Sequence, residues 1–135
     1  MTPEKLIELA KEAMQQAYVP YSGYKVGAAL LCADGTVYTG CNIENASYGA
    51  TNCAERTAFF KAVSEGQRNF TALALCGGLG GEIRDFCPPC GVCRQVMREF
   101  CSDDFLIYLI GPKGQVQTCT LGQLLPGSFN ADSLV

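Results

Sequence analysis

A three-layer α-β-α sandwich, built on one mixed five-stranded sheet, is the α/β fold class that this sequence predicts. Three observations carry that reading. Helix-like and strand-like patterns alternate in the order αββαβαββα, which suits one sheet with helices on both faces. Asp34-Gly35 joins two strand-like runs and is a strong hairpin signal. "FLIYLI" at 105–110 is apolar at every position, as expected of a central strand covered on both sides.

Thr2 as N-cap and Pro3 at the first helical position open the first helix. Leu6, Ile7, Ala10, Ala13, Met14 and Ala17 form its apolar stripe. The turn chemistry of "AYVPYSGY" ends it, and "YKVGAALLC" and "TVYTGCNI" follow as strands. The polar loop "NIENASYGAT" leads into a second helix at about 53–65, ended by Gly66. "FTALALC" reads as the third strand, with "GGLGGE" as a glycine-rich loop after it. A cysteine cluster opens the third helix, which runs to about Phe100. "GPKG" then turns the fourth strand into "QVQTC", and "LGQLLPG" suggests a short last helix. Nothing resembles a linker, so residues 1–135 are expected to be one domain.

Hydrophobic residues make up 48% of the 135 and charged residues only 17%. So apolar a short chain is expected to cover part of its surface by oligomerising. The net charge is −3 and the ten Lys and Arg are scattered, which leaves no electrostatic footprint for nucleic acid or an anionic membrane. The N-terminal stretch is amphipathic with mixed charge, unlike a signal peptide. No apolar run approaches the ~18–20 residues of a membrane span. A cytoplasmic, reducing location is therefore expected, and the nine cysteines are not read as a disulfide framework. Cys32, Cys41, Cys76 and Cys119 lie in or beside strand-like runs and read as small buried hydrophobes. Histidine is absent, so any base or metal ligand must be another residue type.

Two stretches remain, "TNCAERTAFF" at 51–60 and "CPPCGVCR" at 87–94. Each sits where a loop becomes a helix N-terminus, at the sheet edge where α/β proteins bind ligands. Helix N-termini favour negative charge, which suits thiolates. Cys90 and Cys93 are one turn apart and share a helix face. As a lone Cys-x-x-Cys they would fit a redox motif, but with Cys53 they supply three thiolates suited to zinc. Pro88 and Pro89 hold Cys87 in extended geometry, outside the helix.

A zinc site with Cys87 as fourth ligand would be structural, whereas three ligands leave a position for water. Glu55 has two readings as well. It can form a capping box with Asn52 as N-cap, or it can serve as a carboxylate beside the metal. In the second case it takes a proton from a water whose pKa zinc lowers toward ~7. That is equipment for hydrolysis at an electrophilic carbon. Arg56 can donate to a ligand sulfur and offset the formal charge of three thiolates on Zn²⁺.

Cys-Ala-Glu at 53–55, followed by Pro-Cys-x-x-Cys at 89–93, resembles the zinc-dependent nucleoside deaminases. "PYSGYKVGAALL", "GCNIENASYG", "NCAERTA" and "LLPGSF" look like segments of the short cytidine deaminases, so the resemblance runs along essentially the whole chain. It implies a cytidine deaminase-like fold and zinc-dependent conversion of free cytidine and deoxycytidine to uridine and deoxyuridine, with ammonia released in pyrimidine salvage. Zinc would be held by Cys53, Cys90 and Cys93, with Glu55 as the proton carrier. Asn42 and Glu44 would contact the ribose, and the Ala54 N–H the base carbonyl. Tyr24 stands where family members usually carry phenylalanine, and its ring is expected near the base. A homotetramer is implied, with Phe129 reaching a neighbour's site and Tyr48 near the same junction. Two other readings stay open: a deaminase for another aminopyrimidine, and a zinc-stabilised interaction module without catalysis.

Overall fold

Thr2 starts the chain's first element as expected, its hydroxyl accepting from the Lys5 amide at 3.2 Å. In the computed structural model, which describes residues 1–134, this helix is α1, Pro3–Met14. The strands are β1 (Tyr24–Cys32), β2 (Val37–Cys41), β3 (Phe70–Leu79), β4 (Leu106–Ile110) and β5 (Val116–Thr120). The remaining helices are α2 (Ala54–Ser64), α3 (Gly91–Phe100) and α4 (Leu121–Leu124), with short 3₁₀ turns at Tyr48–Ala50 and Ala131–Leu134. No helix among the described residues is long and apolar enough to cross a membrane.

The five strands form one sheet in the order β2-β1-β3-β4-β5. Only β3 and β4 run parallel, joined by the crossover that contains α3. The other neighbours are antiparallel, which makes the sheet mixed. Alternation along the strands divides the core into two layers. Leu6, Ile7, Ala10 and Met14 of α1 cover Ala29, Ala72, Ala74, Cys76 and Ile110 on one face. Residues of α2, α3 and α4 cover Ala28, Leu30, Leu73, Leu75 and Ile107 on the other. Phe59 of α2 meets Phe70, Phe105 and Phe100 with centroids 5.0, 6.0 and 6.3 Å away, which pins α2 beside α3.

Several expectations need correction. β3 does not stop at Cys76 but continues through Gly77, Gly78 and Leu79. Missing side chains make that extension feasible, because a Cβ on Gly78 would lie 1.8 Å from the Glu82 carbonyl oxygen. β4 is an interior strand but not the middle one, and Leu106 and Tyr108 are only half-buried on the face that α1 alone covers. Ala13 is half-buried rather than buried, and Ala17 lies past the end of α1. Cys41, unlike Cys32, Cys76 and Cys119, is also only half-buried.

Candidate metal centre and active site

The starts of α2 and α3 converge on the face opposite α1. Gly40 of β2 lets α2 lie directly on the sheet, since a Cβ there would come within 2.4 Å of the Ala54 carbonyl oxygen. Cys53 is the N-cap of α2 and Cys90 the N-cap of α3. The capping-box reading of Glu55 fails for this reason. The cap falls one residue later than Asn52, whose amide instead donates to the Thr57 hydroxyl at 3.1 Å. Glu55 is left at the second helical position with no capping task.

Cys53 Sγ lies 4.0 Å from Cys90 Sγ, and Cys90 Sγ lies 3.4 Å from Cys93 Sγ. All three sulfurs fall within 4.8 Å of one another. Tetrahedral zinc with Zn–S bonds of ~2.3 Å requires sulfurs ~3.8 Å apart, so the arrangement fits that ion. Cys93 is buried, Cys53 half-buried and Cys90 exposed, which leaves the cluster open on one side. Cys87 is not part of it.

Charge around the cluster is uneven. The Cys53 thiol is pulled down to about 5, chiefly by its hydrogen bond with Cys93 and then by Arg56. The Cys93 thiol is pushed up by the same contact, so the proton the pair shares stays on Cys93. Arg56 Nη2 donates to Cys53 Sγ at 3.1 Å. Glu55 is 4% exposed, and burial pushes its carboxyl above the usual carboxylate range. Its neighbours include the Cys53 and Cys93 sulfurs and the Arg56 guanidinium.

A second group of candidates surrounds a cavity of about 390 Å³, lined by Tyr21, Ser22, Glu44, Tyr48 and Thr51. Such a volume suits a small ligand. Two backbone hydrogen bonds between Ile43 and Asn52, at 2.9 and 3.0 Å, tie this region to the residue before Cys53. Glu44 Oε1 accepts from the Tyr21 and Ser22 amides at 3.0 and 3.1 Å, and Oε2 accepts from the Ser22 hydroxyl. Asn42 Oδ1 accepts from the Val26 amide and Nδ2 donates to the Tyr24 carbonyl, both at 2.9 Å. Both side chains therefore hold the 21–26 segment in place. What each has left is one further amide proton on Asn42 and spare lone pairs on both.

Tyr48 is 75% exposed and packs edge-on against Tyr21, centroids 5.9 Å apart. Phe129 is 60% exposed and is not among the residues lining this cavity. Its carbonyl accepts from Gln95 Nε2 at 2.9 Å, which ties the C-terminal segment to α3. A cavity of about 520 Å³ lies elsewhere, between the end of α3 and residues 127–132, and contains none of these groups.

Sequence reasoning missed Ser22 and Arg94. Ser22 holds Glu44, and the only signal was its place in the "PYSG" turn. Arg94 donates to the Pro89 carbonyl at 2.7 Å and to the Leu124 carbonyl at 2.8 Å, bracing the loop that presents Cys90. An arginine directly after a candidate metal ligand is the hint that could have found it.

Residues 1–109 match the family described as the cytidine and deoxycytidylate deaminase zinc-binding region. A cytidine deaminase of Sporosarcina psychrophila is 54% identical across 99% of this chain and 96% of its own. Another from Halalkalibacterium halodurans is 52% identical, covering 99% of this chain and 98% of its own. The crystal structure of cytidine deaminase from Burkholderia pseudomallei superposes with a TM-score of 0.88 at 49% identity, covering 96% of this chain and 100% of that one. By sequence, by fold and by the convergence of Cys53, Cys90 and Cys93, this chain belongs to the zinc-binding cytidine and deoxycytidylate deaminase family.

Proposed function

We propose that the chain hydrolyses the C4–amino bond of free cytidine and deoxycytidine, releasing ammonia and leaving uridine or deoxyuridine, as a step in pyrimidine salvage. One observation carries the reading: a buried carboxyl, Glu55, neighbours Cys53 and Cys93, two of the three convergent sulfurs. A purely structural metal site needs no such carboxylate, and the capping task that could have explained it belongs elsewhere.

Cys53, Cys90 and Cys93 would hold zinc, a Lewis acid that makes water nucleophilic at neutral pH. Glu55 accepts a proton from the water that adds to C4 and passes it to N3. It then carries the second proton to the amino group, so ammonia leaves and C4 keeps the oxygen. Arg56 offsets the negative charge of the sulfurs by donating to Cys53. The Ala54 amide, in the first turn of α2, has no intrahelical acceptor and is free to hold the base carbonyl. Asn42 and Glu44 retain enough capacity to bond a ribose hydroxyl while bracing β1. Tyr24 lies at the start of β1, where its ring can pack near the base.

The reading includes a homotetramer in a reducing cytoplasm, with Phe129 and Tyr48 meeting a neighbouring copy. Their exposure supports it. Light scattering on the full chain and on one lacking residues 126–135 tests it. A fully active monomer contradicts it.

The substrate test compares cytidine, deoxycytidine and cytidine 5′-monophosphate at low salt, where charge repulsion is least screened. Both nucleosides should release one ammonia per uridine formed. The monophosphate should react far more slowly, because Glu44 lines the cavity and the 80–89 loop carries Glu82 and Asp85 with Arg84 as its one basic residue, which is already paired to Glu82 at 3.0 Å. No ammonia from either nucleoside, or a monophosphate that matches them, overturns the proposal.

A further inference from the structure

Glu44 and Ser22 line the same cavity of about 390 Å³, and the two oxygens of the Glu44 carboxylate are held in different ways. Oε1 accepts from the Tyr21 and Ser22 amides at 3.0 and 3.1 Å, which fills both of its lone pairs. Two bonds to one oxygen hold that atom but leave the carboxylate free to pivot about it. The Ser22 hydroxyl donates to Oε2 and removes the pivot. A hydrogen bond to an ionised acceptor is the stronger kind. The same contact is the main cause that holds the Glu44 carboxyl below the usual carboxylate range.

Ser22 is itself committed to this task. Its oxygen accepts from the Tyr24 amide at 3.0 Å, and its single proton is what it offers Glu44. The Tyr24 carbonyl is held in turn by Asn42 Nδ2 at 2.9 Å. Asn42 and Glu44, the two residues proposed to hold the ribose, are thereby tied to each other through residues 22–24. Of the roughly four acceptor sites on the carboxylate, three are filled, and the one left is on Oε2. That is the oxygen Ser22 orients. It accepts and cannot donate, so it takes a ligand hydroxyl by its proton.

We infer that Ser22 is a positioning residue for substrate: its hydroxyl fixes the Glu44 carboxylate so that the remaining lone pair on Oε2 receives the proton of a sugar hydroxyl. The inference rests on the nucleoside reading of this site. Cytidine and deoxycytidine share only the 3′- and 5′-hydroxyls, so the group held is one of these two. Ser22 touches no reacting atom and acts on how tightly substrate is held. The chemical step should be spared.

The test measures ammonia release by the zinc-loaded parent, Ser22→Ala, Ser22→Thr, Glu44→Ala and the Ser22→Ala/Glu44→Ala double variant. Cytidine, 3′-deoxycytidine and 5′-deoxycytidine are the substrates. Ser22→Ala should raise KM for cytidine ~3–10-fold, the size of one hydrogen bond, with kcat within ~2-fold. Ser22→Thr keeps the hydroxyl and should stay within ~2-fold of the parent. In the Glu44→Ala background, loss of the serine hydroxyl should change KM no further, because the partner is already gone. One deoxy analogue lacks the hydroxyl that Glu44 holds. With that analogue the parent and Ser22→Ala should share one KM within ~2-fold, while the other analogue keeps the full difference.

This dependence on Glu44 and on one hydroxyl, with rescue by threonine, supports the inference. An equal effect on all three substrates, or a KM effect that persists without Glu44, reduces Ser22 to a turn residue. An unchanged KM, or a loss confined to kcat, overturns the inference as well. A parent that releases no ammonia from cytidine sinks the proposed function and the inference together. A parent that turns over cytidine without the expected dependence on Ser22 sinks the inference alone.

Discussion

Cysteines at the starts of α2 and α3 and cysteines inside the core are the same side chain in opposite surroundings. Cys32, Cys76 and Cys101 lie buried among apolar neighbours, and burial pushes their thiols up to about 11, 12 and 12. Cys53 shares a proton with Cys93 and faces Arg56, and it is drawn down to about 5. Cys87 stands between the two kinds. It belongs to the same stretch of chain as Cys90, yet burial pushes it up to about 11. The contact with Cys93 and the Arg56 guanidinium set Cys53 apart from the core thiols, and closeness to Cys90 in sequence does not bring Cys87 down with it.

The sharpest way to break this comparison is to remove one sulfur from each side of it. Cys90→Ala should lose zinc and bring ammonia release to background, whereas Cys87→Ala should keep one zinc per chain by elemental analysis. Equal zinc loss in both would make Cys87 a fourth ligand and the site structural.

Arg56→Gln comes next. Removing the donor to Cys53 leaves the cluster more negative, so protons are held more tightly. Activity should fall ~10–100-fold, as when outer partners of metal ligands are lost, with the pH–rate profile displaced to higher pH. An unchanged profile would reduce Arg56 to a packing residue.

Metal removal separates the two groups by reactivity. After chelation at pH 7, Cys53 is mostly thiolate, while a thiol near 12 is ionised in only about one molecule in 10⁵. Lower intrinsic nucleophilicity offsets part of that gap. Alkylation followed by peptide mass analysis should label Cys53 first and Cys76 and Cys101 last. Early labelling of Cys76 would mean that burial does not govern these thiols.

The smallest effect belongs to the core. Cys76→Ala should keep zinc and activity and cost about 1 kcal/mol in urea unfolding, the scale of a small cavity. Loss of zinc from that variant would show that the two regions are not independent.

Much of this arrangement is legible in the sequence because the signals are local. Thr2-Pro3 and Asp34-Gly35 act over a few residues, and each stands in the structure where its pattern puts it. Features that depend on distant partners are not legible in one dimension. Gly77 and Gly78 read as loop because glycine is weak in strands, but the crowding that requires them comes from Cys87 and Glu82. Asn52 and Glu55 have the spacing of a capping box, yet the cap moves to Cys53. Asn42 and Glu44 read as loop polarity or ribose contacts, while their bonds to the backbone of residues 21–26 are invisible in one dimension.

The central claim is that Glu55 carries protons beside the three-sulfur centre. Its most direct test is Glu55→Gln, which keeps the shape of the side chain and removes its proton exchange. Zinc content, unfolding midpoint and ammonia release from cytidine are measured on the same preparation. The account predicts one zinc per chain, a fold as stable as the parent's, and a kcat lowered by at least the ~10²–10⁴-fold typical of a general acid–base. Turnover near the parent's, with zinc retained, would contradict it.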